Sequence, residues 1–312
     1  MSLALLLAAL PVLYWERPPD TAAALRAAGI ERVRVPPGRA RAWTTAGLEA
    51  VPLQDAEKSD RVALKPPGLA GRADAGSATR RPWLDANGWR FLRAPKARYF
   101  ETAARDGAAL AAAEAFAYGA DLVLAIDPAD LPALGEALRF LRSVPPLDLP
   151  DLADIGVVDD GSGAAGEVMN LLARRNLLFR PVARSASDPP LLVELGTPAY
   201  PQAEAANPDA FALKLRAQLG DERRTLRLYG SEVVLARLVG DASRLRLHLL
   251  NYSGRSIQGL RVRLRGLWTP GDVQLLPQGK AAVEAAVAQD GTTEFSLPAL
   301  GPYAVVDLTA AR

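Results

Sequence analysis

The sequence predicts an α/β region of barrel-like or partial-barrel type, followed by an antiparallel β-sandwich. Three observations carry this. Apolar strand-like runs alternate with helix-like runs through the first two thirds of the chain. Short, strictly alternating strands fill the last third. The connections change from helices to Gly, Pro, Asp and Ser turns near residue 220. The expected divisions are an apolar leader at 1–10, a (β/α) region at 11–219 with a sub-boundary near 148, and a sandwich at 220–312.

The first strand is PVLYW (11–15), and a helix at 20–29 follows, with Asp20 as a cap and Gly29 as a stop. RVRVP (32–36), RARAWTTAG (39–47) and EAVPLQ (49–54) continue the strand–helix–strand rhythm of parallel pairing. RVALKPP (61–67) reads as a fourth strand before a long irregular stretch holding PWLDANGW. An Ala-rich helix then runs into the strand DLVLAI (121–126), where Asp127 opens another helix. After a Pro-rich connector come IGVVDD (155–160), a Gly-rich turn, a helix at 167–176, LLFRPV (177–182) and LLVELG (191–196). About eight strands before residue 200 match the number in a small (β/α)₈ barrel, and a partial barrel joined to a flavodoxin-like unit fits as well.

Composition narrows the chemistry. The 312 residues are 49% hydrophobic and 23% charged, as in ordinary globular proteins, so a sizeable core is available. A formal charge of +2, with no basic run interleaved with aromatics, gives no nucleic-acid binder. The excess of 32 Arg over 5 Lys reads as coding bias before function. No cysteine is present, which excludes disulfides, thiolate catalysis and Cys-ligated metal. His248 is the only histidine, so hydrolytic or transfer chemistry would rest on Asp, Glu, Tyr, Arg or Lys. The apolar run from Leu3 to Leu13 is too short for a membrane span, which takes about 20 residues. Its length suits the core of an export signal, though no Lys or Arg precedes it; the other reading is a leader to a buried first strand.

Gly161, Gly163 and Gly166 spell the G-x-G-x-x-G spacing of a dinucleotide loop. Asp159 and Asp160 stand immediately before it, where a diphosphate would meet two negative charges, and the acid expected some 20 residues on is replaced by Arg180 and Arg184. The segment makes better sense as a strand–turn–helix joint, and no cofactor is expected. Two basic stripes, Arg244-Arg246-His248 and Arg261-Arg263-Arg265, alternate along strands and read as solvated outer faces. Glu114 and Tyr118, four apart on the Ala-rich helix, should pack or pair there.

The C-terminal pattern LRLHLLNYSGRSIQGLRVRLRG followed by TTEFSLPALGPYAVVDL resembles the terminal β-sandwich of multidomain glycoside hydrolases with β-galactosidase-like architecture. In that architecture the sandwich follows a (β/α) barrel, and some members carry an amidotransferase-like segment between, which IGVVDD...LLFRPV is similar to. The resemblance covers about the last ninety residues. It implies a carbohydrate-active protein that hydrolyses a glycosidic bond with two carboxyl groups across a cleft. The alternative is a non-catalytic carbohydrate-binding or scaffold protein that retains the architecture.

Strand C-terminal ends are where such sheets gather their chemistry, so Glu16, Asp127 and Asp159 are candidate catalytic acids, with Asp85 from the PWLDANGW stretch. Asp127 before Pro128 is equally a helix cap, and Glu16 could instead pair with an arginine. Trp15, Trp83, Asn87 and Trp89 have the aromatic-plus-amide composition of a sugar-binding surface; the other reading of Trp83 and Trp89 is that they anchor the loop. A carbohydrate is the expected ligand, and neither nucleic acid nor a membrane span is expected. The sequence says nothing of oligomeric state.

Overall fold

Alternation along the first strands sends one set of side chains to a large core and leaves the other set to a small one. The computed structural model describes residues 10–69, 83–184 and 189–311. Along the chain it forms β1 (Val12–Tyr14), α1 (Ala22–Ala27), β2 (Arg32–Val35), α2 (Ala40–Thr45), β3 (Glu49–Pro52), α3 (Asp55–Ser59) and β4 (Val62–Leu64). An antiparallel pair of β5 (Gly68–Leu69) and β6 (Leu84–Asp85) precedes α4 (Gly88–Arg93) and β7 (Arg98–Thr102). Next come α5 (Ala108–Tyr118), β8 (Asp121–Ala125) and α6 (Leu131–Ser143).

Six of these strands form one parallel sheet in the order β3-β2-β1-β8-β7-β4. Neighbours in that sheet follow the chain in cyclic order, except that β3 and β4 lie at opposite edges. What stands of the barrel-like expectation is a mixed α/β fold with a parallel sheet; no hydrogen-bonded pair joins β3 to β4. On one face Leu13, Val33, Val35, Tyr99, Leu122 and Leu124 share a core with Leu25, Trp43 and the helices α5 and α6. The alanines of α5, from Ala111 to Ala117, are buried and leave room for close helix packing. On the other face only Tyr14, Leu53 and Val123 are fully buried, with Phe100 and Ala125 against them. There α3 lies across the sheet: Lys58 Nζ sits 4.7 and 4.8 Å from the ring centres of Tyr14 and Phe100. Glu57 of the same helix pairs with Arg34 and, at 3.2 Å, with Arg61.

A second parallel sheet, ordered β10-β9-β11, is built from β9 (Ile155–Val158), β10 (Phe179–Val182) and β11 (Leu191–Val193). With α7 (Gly163–Arg174) and α8 (Pro208–Leu219) it closes a separate core around Met169, Leu172, Phe211 and Leu215.

The rest of the chain is antiparallel: β12 (Leu226–Tyr229), β13 (Val234–Gly240), β14 (Arg244–Asn251), β15 (Leu260–Arg265), β16 (Trp268–Leu276), β17 (Gly279–Ala281), β18 (Glu284–Gln289), β19 (Thr292–Leu297) and β20 (Tyr303–Ala310). They form two sheets, β12-β15-β19-β18 and β13-β14-β20-β16-β17. Leu247, Leu249 and Val306 of one sheet and Val262, Leu264 and Phe295 of the other share a single apolar core.

The basic stripes behave differently from each other. Arg261, Arg263 and Arg265 lie on an open face, where Arg263 pairs with Glu294 at 3.4 Å. On β14 only Arg244 is exposed, because the outer face of its sheet packs on the large α/β core through Leu235, Leu250, Tyr303 and Val305. This overturns the reading of that stripe as solvated. Arg246 instead makes a two-pronged contact with Asp307 at 2.6 and 2.7 Å and donates to Pro145 O. His248 is buried with Nδ1 2.7 Å from the Tyr303 hydroxyl, and burial, then Arg237 and Arg246, hold its pKa well below the ordinary value. The stripes also belong to different sheets.

Gly135 marks the tightest helix crossing. A Cβ there would overlap the carbonyl oxygen of Ala28, a backbone atom that cannot swing aside. Gly135→Val is expected to lower unfolding free energy by about 1–3 kcal/mol, as overpacking does. Urea unfolding followed by circular dichroism measures it, and an unchanged midpoint would show that the crossing can loosen.

Candidate functional site

The expected site residues separate once the chain folds. Glu16 follows β1 with its side chain exposed; Lys58 is its ion-pair partner at 4.0 Å, and Arg39 donates to its backbone oxygen at 2.7 Å. Asp127 accepts the amide of Ala129 at 2.9 Å and caps a short 3-10 turn, the capping alternative noted for it. Asp159 is gripped by Arg93 through two bonds of 2.8 Å and also accepts the Gly161 amide. The Arg93 hydrogen bonds hold its carboxyl below the usual carboxylate range. No hydrogen bond or ion pair among the described residues joins any two of Glu16, Asp85, Asp127 and Asp159.

The aromatic residues are also spread out. Trp15 is buried and its Nε1 donates to Thr21 Oγ1 at 2.9 Å. Trp89 is buried against Gly166, with the Arg90 guanidinium 4.2 Å from its ring centre. Trp83 is 36% exposed and stacks under Arg174 at 3.9 Å. Asn87 lies buried, its Nδ2 donating to Lys65 O at 2.9 Å.

The Gly-rich turn after β9 uses its own acids. Asp159 accepts from Gly161 N, and Asp160 accepts from Ser162 N at 2.8 Å. Gly161 has φ of 78°, which a side chain would strain, and Ser162 caps α7 through Ala165 N. The Gly161 and Ser162 amides, which a phosphate at this turn would use, are therefore committed to these carboxylates.

One cavity of about 480 Å³ opens at the C-terminal ends of the neighbouring strands β4 and β7. Its walls are the Pro66–Pro67 turn and β5, Asp85, the β7–α5 loop with Arg105 and Asp106, the first turn of α5, and the turn at 251–256. That last turn is held hard: Asn251 Oδ1 accepts from Ser253 N and Oγ, and Asn251 Nδ2 donates to Arg255 O at 2.6 Å and Leu300 O at 3.1 Å. Asp85 is the one expected acid that lines the cavity; Trp15, Trp83, Asn87 and Trp89 do not. Among the described residues, no group of three or more His, Asp or Glu is arranged to hold a metal ion.

Behind the cavity wall lies a polar group that sequence reasoning did not single out as a site. Tyr252, which lines the cavity, donates its hydroxyl to Glu114 Oε1 at 2.6 Å. The same oxygen accepts the amides of Asn87 at 2.7 Å and Gly88 at 3.1 Å, so Glu114 caps α4 from a distant helix. Burial raises the Glu114 pKa against the lowering effect of these donors. Glu101 of β7 is also buried, and neither of its carboxyl oxygens has a hydrogen-bond partner. Burial, reinforced by Glu114, pushes its pKa up to about 9. The sequence reading assigned no element between the irregular stretch and residue 105, because a buried Glu101 breaks the apolar alternation of RYFET. The Asn-Tyr-Ser-Gly turn signal was visible, but not its closure over β7.

Similarity lies in structure and not in sequence. No protein-family model matches the chain, and no curated protein matches it. The chain is similar in fold to an α-L-fucosidase, isoenzyme 2 from Paenibacillus thiaminolyticus, at a TM-score of 0.55 and 12% identity, over 88% of this chain and 70% of that one. Weaker likenesses are a rhamnosidase from Novosphingobium sp. (TM-score 0.47, 10% identity, 88% of this chain and 38% of that one) and a mutant of the GH42 β-galactosidase Gan42B from G. stearothermophilus (TM-score 0.37, 9% identity, 96% and 59%). The chain thus spans less than two thirds of these last two, and their scores carry no argument. The fucosidase likeness shows a shared fold. Among the described residues, no helix is long and apolar enough to cross a membrane.

The raised Glu101 pKa has a sign. The folded state holds a proton that the unfolded chain releases near the ordinary value of 4.5, so stability is complete below that value and is lost as pH rises toward about 9. Unfolding free energy should fall across that window by on the order of 1 kcal/mol per pH unit at the steepest. Glu101→Met, which replaces an unpartnered buried carboxyl with an apolar chain, should flatten most of the slope and raise stability at pH 8. Denaturant titrations at several pH values test this; an unchanged slope in Glu101→Met would assign the titration elsewhere.

Proposed function

We propose that the chain is a carbohydrate-binding protein with a glycoside-hydrolase-like fold, which holds its ligand in the cavity beside β4 and β7 without cleaving it. The observation that carries this reading is where the carboxyls lie. Acid–base hydrolysis needs a proton donor in an apolar enclosure facing a second carboxylate across the substrate. The enclosed carboxyls whose pKa burial raises are Glu101 and Glu114, and neither lines the cavity. The two carboxylates that do line it are Asp106, which is exposed, and Asp85, which is half-buried. Among the described residues neither side chain accepts a hydrogen bond, and both suit a ligand's hydroxyl groups. Proline, leucine and alanine side chains with the Tyr252 ring supply an apolar wall for the hydrogen-bearing faces of a sugar.

The test is a panel of oligosaccharides assayed for binding by calorimetry and for new reducing ends. Saturable binding is expected, with no reducing ends released, and it should weaken about ten-fold or more in Asp85→Ala and Asp106→Ala, the loss of a charged hydrogen bond. Release of reducing ends that Asp85→Asn abolishes would establish the hydrolase instead, and binding unaffected by either alanine variant would move the site elsewhere.

A further inference from the structure

We propose that the ligand of this cavity is an acidic sugar, one whose carboxylate is bound between Arg105 and Arg255; this rests on the reading that the cavity holds a carbohydrate. The first ground is the state of the arginines. Most described arginines are tied down: Arg93 by Asp159, Arg246 by Asp307, Arg237 by Asp151, Arg216 by Asp221, Arg175 by Asp209. Only Arg17, Arg41, Arg105, Arg244 and Arg255 make no guanidinium hydrogen bond, ion pair or ring contact among the described residues. Two of these line the same cavity, Arg105 from the β7–α5 loop and Arg255 from the turn after β14. Asp85 and Asp106 line the same cavity, yet neither arginine is paired among the described residues.

The second ground is how the cavity distributes its charge. Asp85 and Asp106 line it along with the arginines, so it carries equal numbers of fixed charges of each sign and no general pull on anions. What it offers is a sorted set of partners. The carboxylates only accept hydrogen bonds, and match hydroxyls; the guanidinium groups only donate, in a fork that matches a carboxylate. A neutral sugar would satisfy the aspartates and leave both arginines to water. A simple anion would satisfy the arginines and be repelled by the aspartates. A sugar carrying both hydroxyls and a carboxylate uses all four groups. The Arg255 end is also held in place, since its backbone oxygen accepts from Asn251 Nδ2 and its amide donates to Ser253 Oγ.

The experiment compares trigalacturonate with its fully methyl-esterified form, which keeps the hydroxyls and loses the charge, by calorimetry on the full chain. The acid is expected to bind about ten-fold or more tightly than the ester, as a charge-assisted hydrogen bond allows. That advantage should shrink with added salt and vanish in the Arg105→Ala/Arg255→Ala double variant. Both side chains are exposed, so the variant keeps its core. Ester binding equal to or tighter than acid binding, or an acid advantage that survives in the double variant, overturns the acidic-sugar assignment and leaves the carbohydrate reading standing. So does binding of neutral galactotriose when neither uronate form binds. Binding of none of the three overturns both.

Discussion

Glu114 is the constraint on which the arrangement of this molecule depends. Its carboxyl collects the amides of Asn87 and Gly88, the first turn of α4, and the hydroxyl of Tyr252, which belongs to the antiparallel part of the chain. A buried carboxyl without such donors would be costly, and each donor would be costly without it. Three segments distant in sequence are therefore held to one another by mutual need. Through α4 the tie extends further: Trp89 packs on Gly166, and Arg93 grips Asp159 and the Ser162 carbonyl at the start of α7. The second parallel sheet is thus fixed to the first through one short helix whose N-terminus Glu114 caps.

Glu101 is the exposed side of that bargain only in energetic terms; in space it is sealed. It sits on β7 beside Glu114 with no partner of its own, and apolar burial keeps its proton on. A neutral carboxyl tolerates that place where a charged one would not. Tyr252, bonded to Glu114, lines the cavity, whereas neither acid does. The charged side chains that line the cavity come instead from residues that the strand ends of β4 and β7 and the stiff turn at 251–256 bring together.

The opposite face of the six-stranded sheet is closed off in another way. Lys58 lies over Tyr14 and Phe100, and Glu57 joins the arginines of β2 and the β4 entrance. The short helix α3, placed between the two unpaired edges in chain order, thereby occupies the face that alternation left with few apolar residues. A sheet with β3 and β4 apart keeps two edges, and α3 is the segment that crosses from one to the other.

Much of this was legible in the residues. Alternation and turn chemistry placed β1 to β4, β8, β9 and most strands after residue 225 close to where they lie, and the capping role of Asp127 followed from Asp-Pro before a helical run. The Gly-rich turn was legible as a joint, because acids before the glycines argued against phosphate. The strand β7, the helix α4 and the buried side of β14 were not legible. A strand that buries Glu101, or a stripe that buries Arg246 and His248, looks solvated until its cover is known, and for Arg246 and His248 the contacts come from elements more than fifty residues away. Local preference and periodicity act over a few residues, so the sequence by itself determined which segments extend, coil or turn. Which carboxyls lost water, which found donors and which arginines stayed free was decided by tertiary structure, because burial and charge pairing depend on neighbours that only folding supplies.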